Sequence, residues 1–201
     1  MPLETEVKFF IPDRESVRKR ILETGAISSG RVFEENIRFE DAENRLIQQK
    51  SLLRLRKDEK VRITYKCEST AADSDYKIFE ELETEVADFA VMQRILESLG
   101  FHSEQRYEKY RETFLSGSTV LCLDTMPFGE FLEIEGEKED IRAMAGKIGM
   151  KWEKRILHNY LAIFERIKIS FDLPFSDITF DNFVYMDTDT NVLISSLEQD
   201  C

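Results

Sequence analysis

The chain has 201 residues, 42% of them hydrophobic and 34% charged, which suits one domain, or one domain with an appendage, able to bury a core. A formal net charge of −12 and a pI near 4.8 exclude a general nucleic-acid binder, which needs a basic field, but not a small anionic ligand held by local charge. No run is long and apolar enough to span a membrane, and no signal-peptide core stands at the start.

The three cysteines, Cys67, Cys122 and Cys201, are widely spaced and form no CxxC pair. They point to reduced thiols, a cytoplasmic setting and no zinc site. His102 and His158 are far apart in sequence, which argues against a histidine-rich metal centre.

In chain order, Leu3 to Phe10 (LETEVKFF) comes first, with a period of two: Glu4, Glu6 and Lys8 on one side, Val7 and Phe9 on the other. Asp13 then caps a helix carrying Val17, Ile21 and Leu22, closed by Gly25. A weaker strand falls near 32–39. Two strands alternate next, with Arg54 and Arg56 opposing Leu53 and Leu55, then Arg62, Thr64 and Lys66 opposing their apolar neighbours. In residues 78–86, Glu81, Glu83 and Glu85 oppose Leu82 and Val86, while Glu80 intrudes on the apolar side and Phe79 on the charged one. Asp88 opens a second helix that Gly100 ends, so the chain holds two similar strand-then-helix units. Tyr107, Lys109, Arg111 and Thr113 share a parity, a weaker strand covers 119–125, and Glu133 and Glu135 share a side of the last strand. Residues 138–167 read as helical. The tail from about 170 is acidic and aromatic, with no basic residue after Lys168; it fits a short strand plus a terminal helix, or a loose extension.

These strands number about eight and are joined by short connections, which predicts an α+β fold with an antiparallel sheet. Their polar sides are sorted, some bringing only acids and others mainly bases. Any one such strand is more often a solvated face. Closed into an eight-stranded barrel with helices packed outside, however, they would line one cavity with both signs. Crowded carboxylates call for a hard cation such as Mg²⁺ or Mn²⁺, and crowded arginines and lysines for phosphate oxygens. A polyphosphate bridged to metal meets both demands.

At this point the residues resemble a known family. Glu4-x-Glu6-x-Lys8 resembles the ExExK signature of the CYTH, or triphosphate tunnel metalloenzyme, superfamily. LLRLR (Leu52–Arg56), TYK (Thr64–Lys66), ELETEV (Glu81–Val86), EKYR (Glu108–Arg111), Leu123-Asp124 and GEFLEIE (Gly129–Glu135) follow in the family's order. The resemblance covers about residues 3–165 and implies a tunnel domain over 1–169 with an acidic extension over 170–201. It implies that Glu4, Glu6, Glu133 and Glu135 bind metal, and that Lys8, Arg54, Arg56, Lys66, Lys109 and Arg111 bind phosphate. Glu83 and Glu85 are further tunnel acids that bind metal or orient water; with Lys8 they are the candidate catalytic residues. Asp124 matches an acid of structural role.

Three departures stand out. Phe79, with Lys77 two positions earlier, occupies a place where relatives often carry a base, Arg38 falls where an aromatic is common, and His158-Asn159-Tyr160 replaces Ser-Tyr or Lys-x-Tyr. His158 reads as a packed or helix-surface histidine. The implied function is metal-dependent hydrolysis of a small-molecule triphosphate: inorganic triphosphate, thiamine triphosphate or a nucleoside triphosphate. A class IV adenylyl cyclase, a polyphosphate or nucleotide sensor without turnover, and an interaction scaffold are the alternatives. No nucleic-acid or membrane partner is expected, and a homodimer is compatible with the sequence.

Overall fold

The computed structural model describes residues 3–69, 73–184, 190 and 194. Nine strands form one sheet: β1 (Leu3–Phe10), β2 (Ile27–Asp41), β3 (Ser51–Lys57), β4 (Val61–Glu68), β5 (Lys77–Glu85), β6 (Phe101–Ser116), β7 (Thr119–Met126), β8 (Gly129–Glu135) and the two-residue β9 (Arg155–Ile156). Their order is β5-β4-β3-β2-β6-β7-β8-β1-β9, and β5 also pairs with β1. The first eight therefore close into an antiparallel ring. One edge of β1 is shared: β5 takes Leu3 to Glu6, and β9 takes Lys8 and Phe9.

The helices lie outside because one parity of each strand is apolar and needs cover. Against Val7, Phe9, Phe114, Leu121, Leu132 and Ile134 pack Val17 and Ile21 of α1 (Arg14–Glu23) and Ile141, Met144 and Ala145 of α4 (Lys138–Lys147). The predicted cap of α1 is present, with the Asp13 carboxylate accepting from Ser16 N at 3.0 Å. A four-residue helix, α2 (Arg45–Gln48), precedes β3, and α3 (Phe89–Ser98), capped by Asp88, covers Ile37, Phe39 and Leu55. Each such side chain removed from water contributes about 1.5–3 kcal/mol.

One expectation is corrected. Residues 138–167 are not a single helix. Gly149, at φ +73, takes the left-handed conformation that ends α4, and Met150 N bonds back to Ala145 O at 2.8 Å. A 3-10 turn (Trp152–Lys154) and β9 follow, and Asn159 then caps a new helix, α5 (Tyr160–Phe171). α5 packs across the end of the ring where β1 and β7 finish and β8 starts, against Phe10, Met126, Phe128 and Phe131.

The tail extends this cover. Ile178 makes a parallel bridge to Tyr107 and leads to α6 (Phe180–Phe183), and Leu173, Phe175 and Phe183 join the same apolar cluster. The tail beyond Val184 lies outside the described residues, save Thr190 and Ile194. Among the described residues no helix is long and apolar enough to cross a membrane.

Candidate active site

Strand register brings the charged parity of each strand into the ring. Glu6 pairs with Glu135 and Lys8 with Glu133 across β1 and β8; Thr64 pairs with Glu83 and Lys66 with Glu81 across β4 and β5. Arg38 and Arg54 oppose each other on β2 and β3, and Glu34 and Lys109 on β2 and β6. The signs then separate within the interior.

On one wall Glu4, Glu6 and Glu135 each place a carboxylate oxygen within 4.8 Å of the others. Burial pushes the Glu135 carboxyl up to about 8, against the pull of Arg111 and with the help of Glu4 and Glu133. Burial also raises Glu4, although Lys66 opposes it. Lys66 pairs with Glu4 and Lys77 lies 3.7 Å from Glu6, while Glu135 forms no ion pair among the described residues. An all-oxygen donor set of this kind fits a hard divalent cation.

Glu133, expected among the metal ligands, stands apart from these three. Lys8 holds it at 2.8 Å and Arg111 also bonds it; despite burial, Lys8, Arg111 and Lys109 keep its carboxyl well below the usual range. Lys8 is 1% exposed, with its Nζ 4.1 Å from the Tyr160 ring centroid.

The other expected bases line the rest of the interior, some of them in contact with the acids. Lys66 pairs with Glu4 and, at 2.8 Å, with Glu81. Arg54 Nη2 donates to Thr64 Oγ1 at 3.2 Å, and its Nε has no hydrogen-bond partner. Arg56 Nε donates to Asn36 Oδ1 at 3.0 Å. Asp124, fully buried, accepts from Lys109 at 3.0 Å, from Arg111 through two nitrogens at 2.7 and 2.6 Å, and from the Tyr160 hydroxyl at 2.8 Å. It is the hub that holds two bases in place.

The two expected catalytic acids of β5 divide. Glu83 borders the bases, accepting from Thr64 Oγ1 at 2.7 Å with Arg54 at 3.7 Å. Glu85 lies beyond the β1–β5 pairing, more than half exposed, and pairs with Lys60. Neither belongs to the acid cluster. His158 packs against Arg166, at 3.2 Å.

Several interior residues are given no site role by the sequence, Arg38 and Lys77 being noted there only as departures from the family pattern. Glu34, Asn36, Arg38 and Glu40 line β2 in strict alternation opposite Ile37 and Phe39, a pattern readable in FEENIRFED. Lys77 points at Glu6 (3.7 Å), its Nζ without a hydrogen-bond partner; burial chiefly lowers it to about 8, although Glu6 opposes. Tyr160 stands where the family resemblance places a tyrosine, but its bond to Asp124 follows only from the packing of α5 over the ring's end.

Fold and site together define a class: an eight-strand antiparallel ring whose charged interior is divided between an acid cluster and a set of bases. The chain belongs to the CYTH domain family, whose model matches residues 2–157. It is 26% identical over 172 residues, 85% of this chain and 92% of the relative, to a Methanocaldococcus jannaschii protein provisionally named an adenylate cyclase. The PH1012 protein of Pyrococcus horikoshii is 29% identical with a TM-score of 0.68, over 78% of this chain and 96% of that one. HpAC1 from Hippeastrum, provisionally named an adenylyl cyclase and described as revealing a dominant triphosphatase activity, shares the fold. Its TM-score is 0.59 at 17% identity, over 81% of this chain and 95% of that one. Tyr160 and the tail segment lie beyond the matched residues.

Proposed function

We propose that the chain is a divalent-metal-dependent enzyme that hydrolyses a triphosphate inside a tunnel formed by the ring. The observation that carries this reading is one ring interior that holds a cluster of three carboxylates together with six bases, of which Lys8, Arg54, Arg56 and Lys109 are buried and Lys66 and Arg111 partly so. Glu4, Glu6 and Glu135 would hold Mg²⁺ or Mn²⁺, with Glu133 oriented by Lys8 and Arg111. A cation there would supply charge to phosphate oxygens and acidify a bound water.

Arg54, Arg56, Lys66, Lys109 and Arg111 neutralise and align the phosphate chain. Asp124 and Tyr160 keep Lys109 and Arg111 in place, so little ordering remains to be done on binding. Lys8, locked between Glu133 and the Tyr160 ring, presents a fixed ammonium to the developing charge. Glu83 is held by Thr64 beside Arg54, where it can orient water toward the reacting phosphorus. The HpAC1 description supports hydrolysis in this fold. Free Cys67 and Cys122 suit a reducing compartment such as the cytoplasm.

The second reading, cyclisation of ATP with release of pyrophosphate, is favoured by the name of the M. jannaschii relative. One assay separates the two. Purified protein is incubated with Mg²⁺ or Mn²⁺ and inorganic triphosphate, thiamine triphosphate or ATP, and phosphate, pyrophosphate and cyclic AMP are followed separately. Phosphate as the main product supports hydrolysis; cyclic AMP as the main product of ATP overturns it in favour of the cyclase.

A further inference from the structure

Lys77 opens β5 and pairs with Glu6 across β1 and β5. Its side chain is 13% exposed, and its Nζ stops 3.7 Å from Glu6 Oε1 and takes no hydrogen bond. The other interior lysines are held: Lys8 at 2.8 Å by Glu133, Lys66 at 2.8 Å by Glu81 and Lys109 at 3.0 Å by Asp124. A buried ammonium left without a hydrogen bond costs stability that an apolar side chain of similar length would avoid.

A second lysine shares this setting. The ammoniums of Lys66, from β4, and Lys77, from β5, each lie 5.2 Å from the centroid of the Phe79 ring. A ring face attracts a cation, but it does little to relieve the repulsion between two of them. Two like charges brought to one ring in a poorly hydrated interior favour an anion beside them. The nearest acid to Lys77, Glu6, also faces Glu135 across β1 and β8. Glu6 is thus shared between the acid cluster and Lys77, so an anion that reaches Lys77 also reaches a cation held by Glu6.

We propose that Lys77 is a substrate-contacting residue that couples the two halves of the site: when Glu6 binds a divalent cation, the Lys77 ammonium turns from that carboxylate to a phosphate oxygen beside the cation. This rests on the triphosphate reading of the same site. Without phosphate, ammonium and cation compete for Glu6; with it, they hold the same anion. One substitution should therefore move the two affinities in opposite directions, which a loss of structure would not do.

The test is a pair of titrations on wild type and Lys77→Met. The first uses Mn²⁺ alone, followed by electron paramagnetic resonance. The second uses a linear triphosphate with methylene bridges, which cannot be hydrolysed, at saturating Mn²⁺, followed by calorimetry. Lys77→Met is expected to bind Mn²⁺ alone about threefold more tightly and the bridged triphosphate about tenfold more weakly. Both affinities falling together, or either one unchanged, overturns the inference. Removing an unpartnered buried charge should leave the fold intact. If Lys77→Met nevertheless fails to melt cooperatively, Lys77→Gln is read by the same two criteria, and failure of both to fold assigns Lys77 a structural role and overturns the inference. A wild type that binds no triphosphate sinks the triphosphate reading and this inference together, whereas wild-type binding that the substitution leaves unmoved sinks this inference alone.

Discussion

Glu6 and Glu135 face each other across β1 and β8, and like charges so placed repel unless a cation or a proton intervenes. In the metal-free protein the proton is the answer: burial first, then Glu4 and Glu133, raise Glu135 to about 8 while Arg111 opposes. A carboxyl raised in the folded state stabilises fully below its unfolded pKa, near 4, and that stability is lost as pH rises toward 8. Thermal melts in chelator should therefore show stability falling from pH 5 to pH 8, and Glu135→Gln should flatten the slope. The rise in Tm on adding Mn²⁺ should be larger at pH 8 than at pH 6 in wild type, and smaller in the variant; a variant with the wild-type slope would contradict this. Asp124 poses the opposite case, a buried acid with three donor side chains. Asp124→Asn leaves cations underpaired and should cost about 3–5 kcal/mol in chemical denaturation, against a surface change within about 0.5 kcal/mol. The alternation of Glu4, Glu6 and Lys8, or of Arg54 and Arg56, is visible in the sequence because neighbours two apart share a face. That Glu133 joins the bases rather than the acid cluster is not, since this depends on which residue of β8 falls opposite Lys8.

The strands and the caps of α1 and α3 were legible for local reasons: alternation, an Asp before each apolar stripe and a glycine after it. The region 138–167 reads as one helix in sequence because its apolar spacing survives a break; the left-handed Gly149 and the Asn159 cap cut it into α4, β9 and α5. α5 and the segment after it close one end of the ring, so part of the stretch read as an extension contributes to the core. Ile178 is fully buried beside Tyr107, whereas Ile169 on α5 is 79% exposed. Ile178→Ala should destabilise by about 2–5 kcal/mol and Ile169→Ala by less than about 0.5 kcal/mol in urea titration. Equal effects would mean that the tail is a loose appendage. Tyr160→Phe removes the 2.8 Å bond to Asp124 while keeping the ring under Lys8. It should cost about 1 kcal/mol and raise KM for triphosphate more than it lowers kcat, as expected of a residue that positions Lys109 and Arg111.

For the whole molecule, closure decides whether the charges do chemistry. With net charge −12, open strands would leave the glutamates in water, where a solvated face needs no ligand. Pairing of β1 with β5 turns those faces inward, and the cost of burying them is met by ion pairs and, on this account, by a bound cation and a bound polyanion. The most direct measurement is crystallographic. Crystals grown with Mn²⁺ and inorganic triphosphate should show an anomalous peak among Glu4, Glu6 and Glu135, with phosphate density against Arg54, Arg56, Lys66, Lys109 and Arg111. A peak on the outer surface, or phosphate density away from those bases, would contradict the account.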